Sequence, residues 1–521
     1  MQKNNNKIPT RTLSKIALSL SALFSFSAFS ADYQDVTHLP VLTDDCGVTS
    51  CADRRGYTFE QVNAIFADAQ NASSNGKSNA KSSNKNSTKG QGLGGSKDRV
   101  GTQVVYLNFE QSSPVFDAVV NGLETFNSHI YTQQERDEIQ RRIAADYEGF
   151  DLEFTQTQPA SGDFSTLNFE CQNDGNPCVN FSGGILFGRA QSIDIGNEIR
   201  DDSAFVDASL WEILVQLDPS GNFFSSISGI PVVDGDVQAA LSTAIVNQAS
   251  NTGTHELGHN LGLRHHDSFG SPGTGLPTTG VPSNDAFFPV FDGPRNGAEA
   301  ILHTMASGAS VGSGFTDSTV RDRFFSERSV IKLAANQRAR LVSEDAVSGG
   351  NKKVHLRKVV APNTLLEGAN AEGKLDIREA LIRGAISESG EVDAYRFTGK
   401  AGDFVSAEFN GFDVPIGDAV IGAIQLFFVE DDGSLTLVAQ NFQNFEGFDA
   451  LLVDAPLAKN GDYVMQVSSP NILSFDFTGD GIPDLFPLDE TNNGDLRTGD
   501  YNLSIYKVTG KPGNGPSRVP G

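Results

Sequence analysis

Alternation and helical periodicity divide the chain into stretches of different character. Val104-Val105-Tyr106-Leu107-Asn108-Phe109 is an apolar run of strand length. Thr132 stands where a helix can be capped. Ile139, Ile143 and Tyr147 then recur every fourth residue, so a helix with one apolar face is expected to about Tyr147. Phe150, Leu152 and Phe154 alternate with Asp151 and Glu153, the pattern of a half-buried strand. Further strands are expected at 166–170, 185–190 and 204–208. Val237, Leu241 and Ile245 mark a second helix, which either continues through the residues beyond or breaks near Gly253. Ser326 is placed to cap a last helix reaching about Leu341. From roughly Leu366 the pattern changes to short apolar segments broken by Gly and Asp, at 391–397, 426–428, 449–453, 461–467 and 499–505. That spacing suits a β-sandwich.

The N-terminal hundred residues fit neither pattern. Lys3, Lys7, Arg11 and Lys15 precede an apolar run from Ile16 to Phe29 that is short for a membrane span. Residues 1–30 therefore read as a signal peptide, cleaved after Ser30, and the mature protein is expected to be secreted and extracellular. No later stretch is apolar enough to span a bilayer. Asn71 to Lys97 is almost entirely Ser, Asn, Lys and Gly, a composition unable to bury a core. Residues 31–98 are read as a prosegment and low-complexity linker, with a plain tether as the other reading. The formal net charge of −26 and pI near 4.6 disfavour nucleic acid and anionic membrane surfaces as partners. Four cysteines fall in two close pairs, Cys46 with Cys51 and Cys171 with Cys178. In an oxidising compartment they are expected to form two local disulfides.

Chemistry enters at His255-Glu256-Leu257-Gly258-His259-Asn260-Leu261-Gly262-Leu263-Arg264-His265. On a helix, His255 and His259 lie one turn apart on the same face. Gly262 lets the backbone leave the helix in a left-handed conformation, so that the chain can present His265 as a third nitrogen. Three imidazoles with an open fourth position describe a catalytic zinc site, with Glu256 beside it as general base. Five specified residues at fixed spacing make this a specific pattern.

The H-E-x-x-H-x-x-G-x-x-H pattern resembles the metzincin metalloproteases. The resemblance implies an α+β catalytic domain, a mixed twisted sheet with an active-site helix, over 99–347. It also implies a methionine turn beneath the metal. Met305 lies forty residues after His265 in His303-Thr304-Met305-Ala306-Ser307 and takes that role by resemblance. Ser307 occupies the position where astacins and serralysins carry a tyrosine ligand, so three protein ligands plus water are expected. His266 is a weaker rival to His265, and His303 is read as supporting. Asp45-Cys46-Gly47-Val48 faintly resembles the matrixin prosegment element, whose free thiolate occupies the open zinc position. That is the alternative to a Cys46–Cys51 disulfide.

Residues 348–387 are read as linker and entry segment, 388–508 as an all-β sandwich and 509–521 as a tail. The D-x-Y-x-F opening at Asp393 and the Gly-Asp-Tyr repeats at 461 and 499 resemble the bacterial prepeptidase C-terminal domain. Within that region Asp476, Thr478, Asp480 and Asp484 place oxygen side chains around Gly481, a candidate calcium loop beside the reading as a surface turn. The expected function is a secreted zinc endopeptidase acting as a monomer on protein or peptide substrates. The alternative is a secreted adhesive or polymer-binding protein with a vestigial zinc domain.

Overall fold

The computed structural model describes residues 42–44, 101–182, 184–191, 193–264, 287–288, 304–305, 323, 325–338, 341–349, 352–362, 376–411, 420–441, 449–469, 472–475, 484–487 and 497–509. The first sheet is mixed. It is assembled from β1 (Leu42–Asp44), β2 (Gln103–Asn108), β3 (Val115–Val119), β4 (Leu123–Asn127), β5 (Leu152–Thr155), β6 (Phe164–Asn168), β7 (Val179–Asn180), β8 (Gly184–Ala190) and β9 (Ser203–Val206). Its order is β4-β3-β7-β8-β9-β6-β2-β5, and β1 lies on β8. Strands β9, β6, β2 and β5 run parallel, whereas β8 is antiparallel to β9.

Five expected strands and the first expected helix fall within two residues of their sequence positions. Helix α1 (Gln133–Asp146) begins at a capping box: Thr132 Oγ1 accepts from the Glu135 N–H, and the Glu135 carboxylate accepts from the Thr132 N–H. Ile139, Ile143 and Tyr147 are all buried, as their spacing requires. Two helices without a sequence expectation follow β9, α2 (Ser209–Leu217) and α3 (Asn222–Ser228).

Helix α4 (Val237–Asn260) settles the question left open at Gly253: it runs unbroken into the histidine motif. Gly253 is a packing position rather than a break. A β-carbon there would lie 2.8 Å from the Ile143 Cδ1 of α1. Tyr147 Oη donates to the Thr254 carbonyl at 2.8 Å, and Thr254 Oγ1 donates to Asp146 at 2.9 Å, so α1 and α4 are cross-linked at the same level. Every residue from Gln248 to Asn260 is buried. A polar helix buried on all sides needs partners for its side chains, unlike an ordinary amphipathic one.

Beyond it come β10 (Phe287–Phe288), α5 (Glu327–Arg338), β11 (Leu341–Ser343) and α6 (Glu344–Val347). Ser326 Oγ accepts from the Ser329 N–H at 3.1 Å, the cap expected of it. The remaining strands are β12 (Arg357–Val359), β13 (Asp376–Ile386), β14 (Val392–Gly399), β15 (Asp403–Asn410), β16 (Ala423–Val429), β17 (Leu435–Asn441), β18 (Leu451–Pro456), β19 (Gly461–Ser468), β20 (Ile472–Phe475), β21 (Asp484–Pro487) and β22 (Gly499–Thr509). One sheet has the order β10-β17-β16-β19-β14, and the other β11-β13-β22-β15-β18 with β12 on β13. Tyr395, Phe397, Leu426 and Met465 of the first meet Ile382, Val405, Phe409 and Leu503 of the second in one apolar core, a β-sandwich.

The two halves are not joined by a bare linker. β11 and β13, which lie in or before the stretch read as linker and entry segment, are paired strands of the second sheet. Val359, Ala361, Ile377, Leu381 and Tyr506 belong to the apolar cluster that also contains Ile143, Leu257 and Met305. No helix among the described residues is long and apolar enough to cross a membrane.

His129 ties α1 to α2. Its Nε2 lies 3.2 Å from Glu135 and its Nδ1 3.3 Å from Glu212. Burial opposes a charge on this imidazole, but the hydrogen bonds to the two carboxylates outweigh it and raise the pKa to about 9. A raised pKa stabilises the fold fully below the unfolded value of about 6.5, and the gain is lost as pH rises through about 9. Stability should therefore fall between those limits, and His129→Gln should flatten that fall in denaturant midpoints measured from pH 6 to 10.

Candidate metal centre

The end of α4 is built by backbone geometry. Leu263 N–H donates to the Gly258 carbonyl at 2.9 Å and Gly262 N–H to the His259 carbonyl at 2.8 Å. This is a Schellman ending, with Gly262 at φ +89° in the left-handed position. A β-carbon at Gly262 would lie 2.9 Å from the Asp194 carbonyl oxygen and collide with Asn336 Nδ2. Asn336, from α5, instead donates to the Leu261 carbonyl at 3.0 Å and satisfies one of the helix's last acceptors.

This turn orients the second histidine. His259 Nδ1–H donates to the Leu263 carbonyl at 2.8 Å, while His255 Nδ1–H donates to the Thr304 carbonyl at 2.7 Å. Carbonyls only accept, so each Nδ1 carries a proton and each Nε2 is turned toward the other ring. The two Nε2 atoms face each other at 3.0 Å. Burial, and then the neighbouring His255, hold the His259 pKa well below the ordinary imidazole range. Where both rings are neutral, their two lone pairs repel at that distance unless a cation lies between them. Zinc bonds of about 2.0–2.1 Å set ligand nitrogens roughly 2.9–3.4 Å apart for angles between a right angle and tetrahedral. The pair fits that spacing, and both imidazoles have the backbone acceptors that metal-ligating histidines ordinarily use.

Glu256 is fully buried next to this pair and packs against β8. A β-carbon at Gly188 would stand 2.6 Å from Glu256 Oε1 and 2.6 Å from Thr252 Cγ2, so β8 approaches α4 closely only because residue 188 has no side chain. Gly188 also carries β9 on one side and β1 on the other. Met305, wholly buried, lies under the motif: a β-carbon at Gly258 would come 2.6 Å from its Sδ.

The structure brings together His255, His259, Glu256 and Met305. His265, His266, His303 and Ser307 lie outside the described residues, so no cluster of three metal-ligating side chains is complete among those described. Cys171 and Cys178 form a disulfide, as expected. Cys46 and Cys51 lie outside the described residues, as do Asp476, Thr478 and Asp480, while Asp484 is the first residue of β21. Sequence reading missed Leu263 and Thr304 because they act through backbone carbonyls. It missed Gly188 and Asn336 because neither carries a signal near the motif.

No family model matches the chain, and no curated protein matches it. Several solved structures are similar to parts of it. One is the pre-peptidase C-terminal domain of a collagenase from Bacillus anthracis, with 16% identity, covering 24% of this chain and 88% of that one, at a TM-score of 0.16. Another is PliG, a periplasmic inhibitor of g-type lysozyme from Aeromonas hydrophila, with 14% identity, covering 25% of this chain and 85% of that one, at a TM-score of 0.15. Scores this low carry no functional weight.

Gly262→Ala should destabilise the protein by about 1–3 kcal/mol from the left-handed backbone alone. The crowding against Asn336 and Asp194 adds to that. A fall in the thermal midpoint checks it, and an unchanged midpoint would contradict the tight turn.

Proposed function

We propose that the protein is a secreted zinc-dependent endopeptidase of metzincin type. The observation that carries the reading is the pair of buried imidazoles whose Nε2 atoms meet at 3.0 Å beside a buried glutamate. His255 and His259 would hold the metal, with His265 as the third ligand by its place in the motif. Bound zinc supplies a Lewis acid and an acidified water.

The chain's own residues account for the rest. The Thr304 and Leu263 carbonyls hold each imidazole in the tautomer that leaves Nε2 available. Glu256 takes a proton from the attacking water and returns it to the leaving amine. Met305 gives the histidines an apolar floor. An extended peptide would pair along β8, the strand against which Glu256 packs, by the same main-chain hydrogen bonding that joins sheet strands.

β1 supports the prosegment reading. It belongs to the N-terminal stretch, runs parallel to β8, and is in register at Asp44 with Gly188. A segment in that place competes with a peptide for the strand. The zymogen reading follows: proteolytic removal of residues 31–98 frees β8.

Glu256→Gln should keep stoichiometric zinc by elemental analysis and lower casein hydrolysis by orders of magnitude; a variant as active as wild type would show that Glu256 is not the base. Removal of residues 31–98 after folding should raise cleavage of a peptide substrate. If full-length protein and the trimmed form work at equal rates, β1 does not guard the strand.

A further inference from the structure

The histidine motif is held from outside its own half of the molecule. Arg264, between the Leu263 carbonyl and His265, is among the largest fully buried side chains in the protein. Its Nη2 donates to Asp449 Oδ2 at 2.6 Å, and both side chains are 1% exposed. Asp449 lies in the β-sandwich, 185 residues away in sequence. It is itself fixed: its Oδ1 accepts from the Gly411 N–H at 2.9 Å, and the adjacent Ala450 carbonyl accepts from Phe409 N–H at 2.9 Å. These bonds tie Asp449 to the end of β15.

We propose that Asp449 is a positioning residue for the metal centre, holding Arg264 and, through it, the Leu263 carbonyl that orients His259. This rests on the zinc reading. The contact is a charge-assisted hydrogen bond in a site closed to water, short and directional. Leu263 and Arg264 share a peptide unit, so a shift of the guanidinium's anchor moves the carbonyl that keeps the proton on His259 Nδ1. Such partners of a ligating histidine ordinarily set metal affinity by 10–100-fold. A second buried pair spans the same two halves, Lys332 Nζ to Glu408 Oε2 at 2.7 Å. It joins α5 to β15; Lys332, like Arg264, bears on His259 through its charge, but it does not hold a ligand's backbone acceptor, so Glu408→Gln controls for the loss of a buried carboxylate near the site.

The test compares Asp449→Asn with Glu408→Gln in the full chain, using competition for Zn²⁺ against a chromogenic chelator and the visible spectrum of the Co²⁺-loaded protein. Both variants lose a carboxylate facing a buried cation, and both should lower the thermal midpoint of the metal-free protein. Only Asp449→Asn should weaken zinc binding, by about 10–100-fold, and alter the Co²⁺ spectrum. The double variant Arg264→Met/Asp449→Leu leaves no buried charge, so it keeps its fold and should show the same loss of zinc affinity. Wild-type zinc affinity in either Asp449 variant, or an equal loss in Glu408→Gln, overturns the proposal. Failure of the wild-type chain to bind zinc at all overturns instead the metal reading beneath it.

Discussion

Two imidazole Nε2 atoms held 3.0 Å apart inside a fully buried helix segment are the constraint on which this structure depends. Nothing in an apolar core favours that arrangement. Each ring must be kept neutral, turned the same way and prevented from swinging to a better partner. The two backbone carbonyls do this: Thr304 from 49 residues beyond His255 in sequence, Leu263 from the turn that ends the helix itself. The helix end, the methionine layer and the strand beside Glu256 can all be understood as devices that keep these two carbonyls and the carboxylate in place.

The devices share one material, the absence of side chains. Gly253 lets α1 close on α4, Gly258 lets the Met305 sulfur approach, and Gly188 lets β8 reach Glu256. Gly262 alone is there for its backbone conformation. A helix with so many polar side chains gains little from the hydrophobic effect on its own account. Its packing depends on neighbours that come close enough to satisfy or enclose every group, and glycines make that distance available.

The parts legible in the sequence were those with a period or a motif. Ile139, Ile143 and Tyr147 announce α1, and Thr132 announces its start, because that helix has one wet face and one dry face. α2 was not legible. Leu210, Trp211, Ile213, Leu214, Val215 and Leu217 are all buried, and only Ser209, Glu212 and Gln216 mark the wet face, so a nine-residue, mostly apolar stretch is easily confused with a buried strand. The β3–β4 hairpin was missed because it lies largely in water, where alternation is weak. At the site, the facing pair of histidines was visible in the spacing of the motif. The backbone acceptors and the glycine opposite Glu256 were not, since a carbonyl exists at every residue and a lone glycine has no signature.

The division into a catalytic half and a β-sandwich that composition suggests at Val347 is weaker in space than in sequence. Tyr506 and Leu381 of the second sheet complete the same apolar cluster as Leu257. Charges cross the boundary too: Arg264 and Lys332 are buried cations whose carboxylates belong to the sandwich. A buried cation stripped of its carboxylate is strongly destabilising, because the charge is left without compensation. Detaching the sandwich would thus strand two such cations, one of them inside the histidine motif, as well as exposing apolar core. The second half is therefore part of what keeps the helix end folded: its loss would remove both apolar packing and charge pairing from the histidine motif itself.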